Sequence, residues 1–232
     1  AYRIFIFNFR VKSPKMDFST VRRKMVDCQI LPNNVTDQRI IDAMMELPRE
    51  IFVPTSKRGI AYVDESLALG DERFLIEPMV VARLMQVLEL KSTDVALSIG
   101  AGTGYSVALL GRIVDTVVAV EHVTSLIEHA TKNLSELGID NVAILKGRLT
   151  DGAPNQAPYD VIFFDGAISE VPIAISDQLA EEGRLIAMVE KPGGICQAHL
   201  MTRNHGAISG RNIFDASTPL LPGFERRSAF SF

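Results

Sequence analysis

The sequence predicts an α/β fold, doubly wound around a mainly parallel sheet, on three observations. Short apolar runs recur at 94–99, 116–121, 141–146, 159–164 and 184–190, each of strand length. Segments whose apolar residues recur at helical spacing lie between several of them, from about 104, over 125–137 and over 172–181. This succession builds βαβ crossovers, whose neighbouring strands are parallel.

Taken in order, residues 1–15 alternate aromatic and polar side chains, with an apolar stretch too short for a signal peptide and no small-residue cleavage site after it. They read as an added or disordered arm ahead of a start at Met16. Helical spacing then appears in Phe18, Val21, Met25 and Cys28, and again in Ile40, Ile41, Met44 and Met45 with Thr36 as N-cap. Pro48 and Pro54 bracket a segment expected to be extended, because proline ends helices and biases the residue before it. A loop runs to Pro78, which opens a helix packed through Val81, Leu84, Met85 and Leu88. Residues 16–77 thus form an N-terminal helical region with a loop, and 78–232 a sheet domain. Ser125 and Glu128 form a capping box and Gly138 a stop for the helix between them. The segments "QAHLMTRN" and "GAISGRNIFDA" close the domain as an antiparallel hairpin.

Composition narrows the function. The 232 residues are 47% hydrophobic and 22% charged, enough apolar content for a sizeable globular core. A net charge of −4 of mixed sign offers no footprint for nucleic acid or anionic membranes, and no apolar run nears the ~18 residues of a membrane span. Cys28 and Cys196 lack CxxC spacing, and the four histidines form no ligand motif, so neither a disulfide framework nor a metal is expected. A reducing, cytoplasmic setting fits this.

The chemistry concentrates at "IGAGTGY". Gly100, Gly102 and Gly104 follow a strand directly, where the chain must turn tightly and a ligand can approach main-chain amides. A dinucleotide fingerprint would put its third glycine at Tyr105, so a pyrophosphate is disfavoured. The next strand ends at Glu121, a carboxylate placed to accept hydrogen bonds from both hydroxyls of a ribose. Glycine loop and ribose carboxylate without a phosphate-binding lysine describe S-adenosylmethionine. Asp165 and Gly166, at the tip of "YDVIFF", face the same end of the sheet.

From Asp17 to about Gly223 the chain resembles the protein-L-isoaspartate O-methyltransferases. The shared segments run in order: "LPREIFVP", "EPMVVARLMQVLEL", "IGAGTGY", "VVAVEHV", "APYDVIFFDGA", "QLAEEGRLI" and "PLLPGF". The resemblance implies a class I S-adenosylmethionine-dependent methyltransferase sheet, that donor as cofactor, and the carboxylate of an isomerised aspartyl residue in a peptide or damaged protein as acceptor. On this basis Gly100, Ala101, Gly102, Thr103, Gly104, Tyr105, Glu121, His122, Arg148, Leu149, Asp165 and Gly166 are expected around the donor. Arg73, Phe74, Leu75 and Ile76 fall in register with the family's substrate loop.

Three positions depart from the family pattern. Ile76 stands where an active-site serine is usual, Arg148 replaces an acid near the adenine, and Ser98 replaces an acid before the glycine loop. No catalytic side chain is assigned, because an ionised carboxylate with a pKa of about 4 needs no general base. Phe74 and Ile76 are expected to form an apolar wall, with Arg73 capturing a substrate carboxylate. The altered loop also permits a different acceptor, or a module that binds the donor without transferring its methyl group.

Overall fold

The structure, a computed structural model, describes residues 16–226; the arm read at 1–15 lies outside them. Helix α1 (Phe18–Met25) opens on Asp17, whose carboxylate accepts from the Ser19 amide. A wide turn over Val26–Ile30 follows, and α2 spans Gln38–Glu46. The cap of α2 is Asp37 rather than Thr36: its carboxylate accepts from the Arg39 amide at 2.9 Å, and an aspartate caps better than a threonine.

The segment between the prolines is not extended. Arg49–Phe52 forms a single 3₁₀ turn, closed by Ile51 N donating to Pro48 O at 3.0 Å. The turn points the Arg49 side chain into the interior. A second 3₁₀ turn covers Thr55–Ile60, and the expected loop then contains a small antiparallel hairpin, β1 (Leu67–Gly70) and β2 (Arg73–Leu75). Helix α3 (Pro78–Val87) starts at Pro78 as the sequence predicts.

The main sheet comprises β3 (Val95–Ile99), β4 (Thr116–Glu121), β5 (Val142–Lys146), β6 (Tyr159–Ile168), β7 (Leu179–Glu190), β8 (Cys196–Asn204) and β9 (Ala207–Ala216). Their spatial order is β5-β4-β3-β6-β7-β8-β9, parallel from β5 through β7, with β8 and β9 antiparallel at the edge. The order reverses between β3 and β6, and ligands of open α/β sheets bind outside the carboxyl ends at such a switch point.

Pleating divides the core. Ala96, Val117, Ala119, Val161 and Phe163 face a large cluster shared with α1, α2, α3 and α4 (Tyr105–Gly111), so the N-terminal region packs into the same core as the sheet. Helix α5 (Thr124–Glu136) adds Leu134 to it. Leu97, Ile99, Val118, Val120, Ile162 and Phe164 face the other way, against Leu149, Ile175, Leu221 and Phe224. That second layer is thin. The helix expected over 172–181 is only α6 (Ile173–Ser176), because Gln178 O accepts from Tyr159 N at 2.9 Å and Leu179 already pairs with β6. Helix α5 starts from Val123 without a side-chain cap, so the Ser125–Glu128 box does not form; Gly138 ends it with φ +64°. Among the described residues no helix is long and apolar enough to cross a membrane.

Candidate functional site

The loop after β3 turns through three glycines of positive φ: Gly100 at +87°, Gly102 at +53° and Gly104 at +97°. An L side chain would be strained at Gly100 by its φ alone. The loop amides point largely inward. Those of Gly100 and Ala101 both donate to Val120 O, at 2.9 and 3.1 Å, that of Gly104 to Ala101 O at 2.9 Å, and that of Gly102 to Glu121 Oε2 at 2.8 Å. Thr103 Oγ1 donates to Phe52 O, and Asn133 Nδ2 donates to Thr103 O. The loop is therefore a rigid floor, held by the next strand and the N-terminal region, rather than a ring of open donors.

Glu121 sits at the tip of β4 as predicted, but it is fully buried. Its Oε1 accepts from the amides of His122 and Val123, at 2.8 and 3.2 Å, and lies 3.0 Å from His122 Nδ1. Its Oε2 accepts from Gly102 N and from Arg73 Nε, the latter at 3.2 Å. Arg73 Nη2 also donates to Gly100 O at 2.8 Å, and only 2% of Arg73 is exposed. The expectation that Arg73 faces outward to capture a substrate carboxylate is thus corrected. A guanidinium lodged against a buried carboxylate and a carbonyl gains more there than a solvated one would, since the uncompensated Glu121 charge would be costly.

The hairpin and the C-terminal segment complete the cover. Leu69 Cδ1 stands 3.3 Å from where a Gly102 Cβ would be, and Arg73 Nη2 2.7 Å from that of Gly100. From the opposite side, Leu221 comes within 3.0 Å of the Gly100 position and 2.7 Å of the Gly166 position. Gly166, with φ +154°, leaves the room Leu221 needs. Backbone bonds hold this strap in place: Ala167 N donates to Pro219 O and Leu221 N to Ala167 O, at 2.8 and 2.7 Å, while Phe224 stacks edge-on against Phe164.

Asp165 is buried beside the loop, accepting from Ser106 Oγ at 2.9 Å. Burial pushes its pKa up to about 7, against the opposing pull of Arg73, the Ser106 hydroxyl and Arg49. Below about pH 4 the group is protonated whether the chain is folded or not. As pH rises towards 7 only the folded state keeps the proton, so this residue's contribution to stability is lost across that interval. Urea midpoints are therefore expected to decline from about pH 4 to about pH 7 and to level off above that. Asp165→Asn should flatten that decline, and an equal decline in the variant would show that another group causes it.

The remaining predicted residues divide. Tyr105 is wholly buried, edge-on to Phe52 at 5.3 Å between ring centroids and 4.7 Å from the Arg49 guanidinium, so its role is in the core. Leu75 and Ile76 are likewise core residues, which corrects the expected apolar wall at Ile76: Leu75 ends β2, Ile76 follows it into the same cluster, and Arg49 clamps the Ile76 carbonyl. Phe74 is half-buried on the hairpin. Leu149 packs under the second face, whereas Arg148 is mostly exposed and, with Thr150, Ser169, Phe224 and Arg226, lines a groove of about 760 Å³. Ser98 is buried with its hydroxyl unpartnered. Among the described residues no set of three or more His, Cys, Asp or Glu side chains could hold a metal.

Sequence reasoning missed Arg49, Leu69 and Leu221. Arg49 Nε donates to Ala61 O at 2.8 Å and Nη2 to Ile76 O at 2.6 Å, tying the first proline segment to the strand before α3. The only available signal was its place, with Glu50, between Pro48 and the apolar triplet Ile51–Val53.

Comparisons with known proteins add to this geometry. A family model described as protein-L-isoaspartate(D-aspartate) O-methyltransferase matches residues 21–216. A Roseiflexus castenholzii protein named protein-L-isoaspartate O-methyltransferase is 40% identical over 188 residues, which cover 81% of this chain and 84% of that protein. A solved structure of a protein-L-isoaspartate O-methyltransferase aligns with a TM-score of 0.75 at 31% identity, over 87% of this chain and 66% of that one. A Plasmodium falciparum structure described as a beta-aspartate methyltransferase in complex with S-adenosyl-L-homocysteine aligns with a TM-score of 0.70 over 88% and 97%. At 21% identity that likeness is one of fold.

Proposed function

Since the chain belongs to the protein-L-isoaspartate(D-aspartate) O-methyltransferase family, we propose that it transfers a methyl group from S-adenosylmethionine to the carboxylate of isomerised aspartyl residues in damaged proteins or peptides. The observation that carries this reading is the match over residues 21–216, which spans the N-terminal region, the glycine loop and the sheet. The two cysteines are free thiols, in keeping with a cytoplasmic repair enzyme.

The residues fit the donor in kind. A glycine floor and the Glu121 carboxylate meet at the switch point, and Leu149 and Asp165 flank it. We assign Glu121 to the ribose hydroxyls, the loop Gly100–Gly104 to the nucleoside and methionyl backbone, and the 147–149 turn with Leu149 to the adenine. Arg73 and Leu221 lie across the same space, so binding requires that cover to shift.

S-adenosylmethionine supplies an electrophilic methyl on a cationic sulfur. The acceptor carboxylate is ionised at neutral pH, so no residue of this chain has to move a proton. The loss of the family's serine at Ile76 is tolerable for that reason. What the chain provides is placement of the acceptor oxygen about 3 Å from the methyl, in line, with water excluded. The hairpin β1–β2 with Phe74 supports the second task, because it already roofs the loop.

The test is incubation with labelled S-adenosylmethionine and paired isoaspartyl and aspartyl peptides of one sequence. Base-labile methyl ester is expected on the isoaspartyl peptide alone. Ester on neither peptide, with transfer to another acceptor in a protein extract, would replace this substrate by a different one.

A further inference from the structure

We propose that Arg73 and the methyl donor are alternative partners of Glu121, and that the β1–β2 hairpin is the movable lid that exchanges them. The proposal rests on the donor assignment made above. Arg73 Nε bonds Glu121 Oε2, the oxygen that also receives the Gly102 amide, and Nη2 bonds Gly100 O. These are the two places a ribose and its sulfonium neighbour would need, and both are taken by one guanidinium that is 2% exposed. A donor molecule and Arg73 cannot hold them together.

The element that carries Arg73 is built to move. Its two strands pair only with each other and form a sheet separate from the main one. An isolated two-stranded hairpin is marginal by itself. Its tip is strained as well, since Asp71 and Glu72 sit at φ +50° and +56°, a left-handed pair without glycine. Its inner ends are fixed, since Leu67 and Leu75 belong to the core, so the movable part is the tip over 69–74, which Leu69 and the Lys57 Nζ bond to Ala68 O hold down. Arg73 is the contact that gives the closed position electrostatic weight. Removing it leaves Glu121 with its three amide donors and a free acceptor site, which ribose hydroxyls can fill.

A site whose competent form is only a fraction of the population binds with an affinity reduced by that fraction. Arg73→Gln and Arg73→Met therefore should bind S-adenosylhomocysteine at least about tenfold more tightly than the unaltered chain, by isothermal titration calorimetry, with circular dichroism confirming the fold. A second readout needs no variant. Saturating S-adenosylhomocysteine is expected to increase phenylglyoxal modification of Arg73, mapped by peptide mass spectrometry, because the displaced guanidinium reaches solvent. Equal or weaker binding by both folded variants overturns the proposal, as does continued protection of Arg73 at saturation. If neither the unaltered chain nor a folded variant binds S-adenosylhomocysteine, the donor assignment itself fails, and the lid with it.

Discussion

Glu121→Ala is expected to destabilise the fold by about 3–5 kcal/mol, because it strands the buried Arg73 charge with a single carbonyl partner. Exposed ion pairs contribute little, but this one is enclosed: Glu121 has no solvent exposure and Arg73 almost none. The same change should weaken binding of S-adenosylhomocysteine by about 1–3 kcal/mol through the lost ribose bonds. Chemical denaturation and calorimetry measure the two separately. Adding Arg73→Met to Glu121→Ala removes the stranded charge and should recover about half of the lost stability. If the double variant is no more stable than the single one, the loss comes from the glycine loop, which Glu121 also anchors through Gly102.

Arg49→Ala should cost a comparable amount, about 3–5 kcal/mol, by a different route. Two buried carbonyls, Ala61 O and Ile76 O, lose their donors, Tyr105 loses the cation over its ring, and a cavity opens between the 3₁₀ turn and α4. Burial draws the Arg49 pKa down, the direction in which desolvation outweighs the pull of its neighbours. Arg49→Met keeps most of the volume and isolates the hydrogen-bond part, so it should fall between the parent and the alanine variant. Guanidinium unfolding midpoints give the order. An alanine variant as stable as the parent would mean that water replaces the guanidinium at both carbonyls.

The strands and the glycine turn were legible because each is a local property. "VALSI" and "TVVAVE" are apolar runs closed by polar or glycine residues, and a strand tip at Glu121 follows from where the run stops. The failures with the largest effect on the site are decided from a distance. Arg49 and Arg73 look like solvated loop residues until partners some 12 to 48 positions away enclose them. The helical pattern at 172–181 lost to strand pairing at Leu179 and to the Gln178 side chain, which bonds Asp151 O and Ala153 N. The hairpin at 67–75 turns through three residues of positive φ, of which only Gly70 is a glycine, so Gly70–Asp71 was the one turn signal and Asp71 and Glu72 gave none. At the site, the sequence identified the floor and the carboxylate but had no means of showing what rests on them.

The strap over Gly166 has a consequence for biosynthesis. Gly100 and Glu121 leave the ribosome about half a chain before Pro219–Leu221, so a growing polypeptide completes its glycine floor while Leu221, half of the roof, is still untranslated. During that interval Phe164 lacks its aromatic partner Phe224, and the face of β6 it lies on is covered only by the earlier residues such as Leu149 and Ile175. Translation that stalls after β9 would hold the polypeptide in that half-roofed form, with the edge of Phe164 and the Gly166 turn open to chaperones and to other nascent chains.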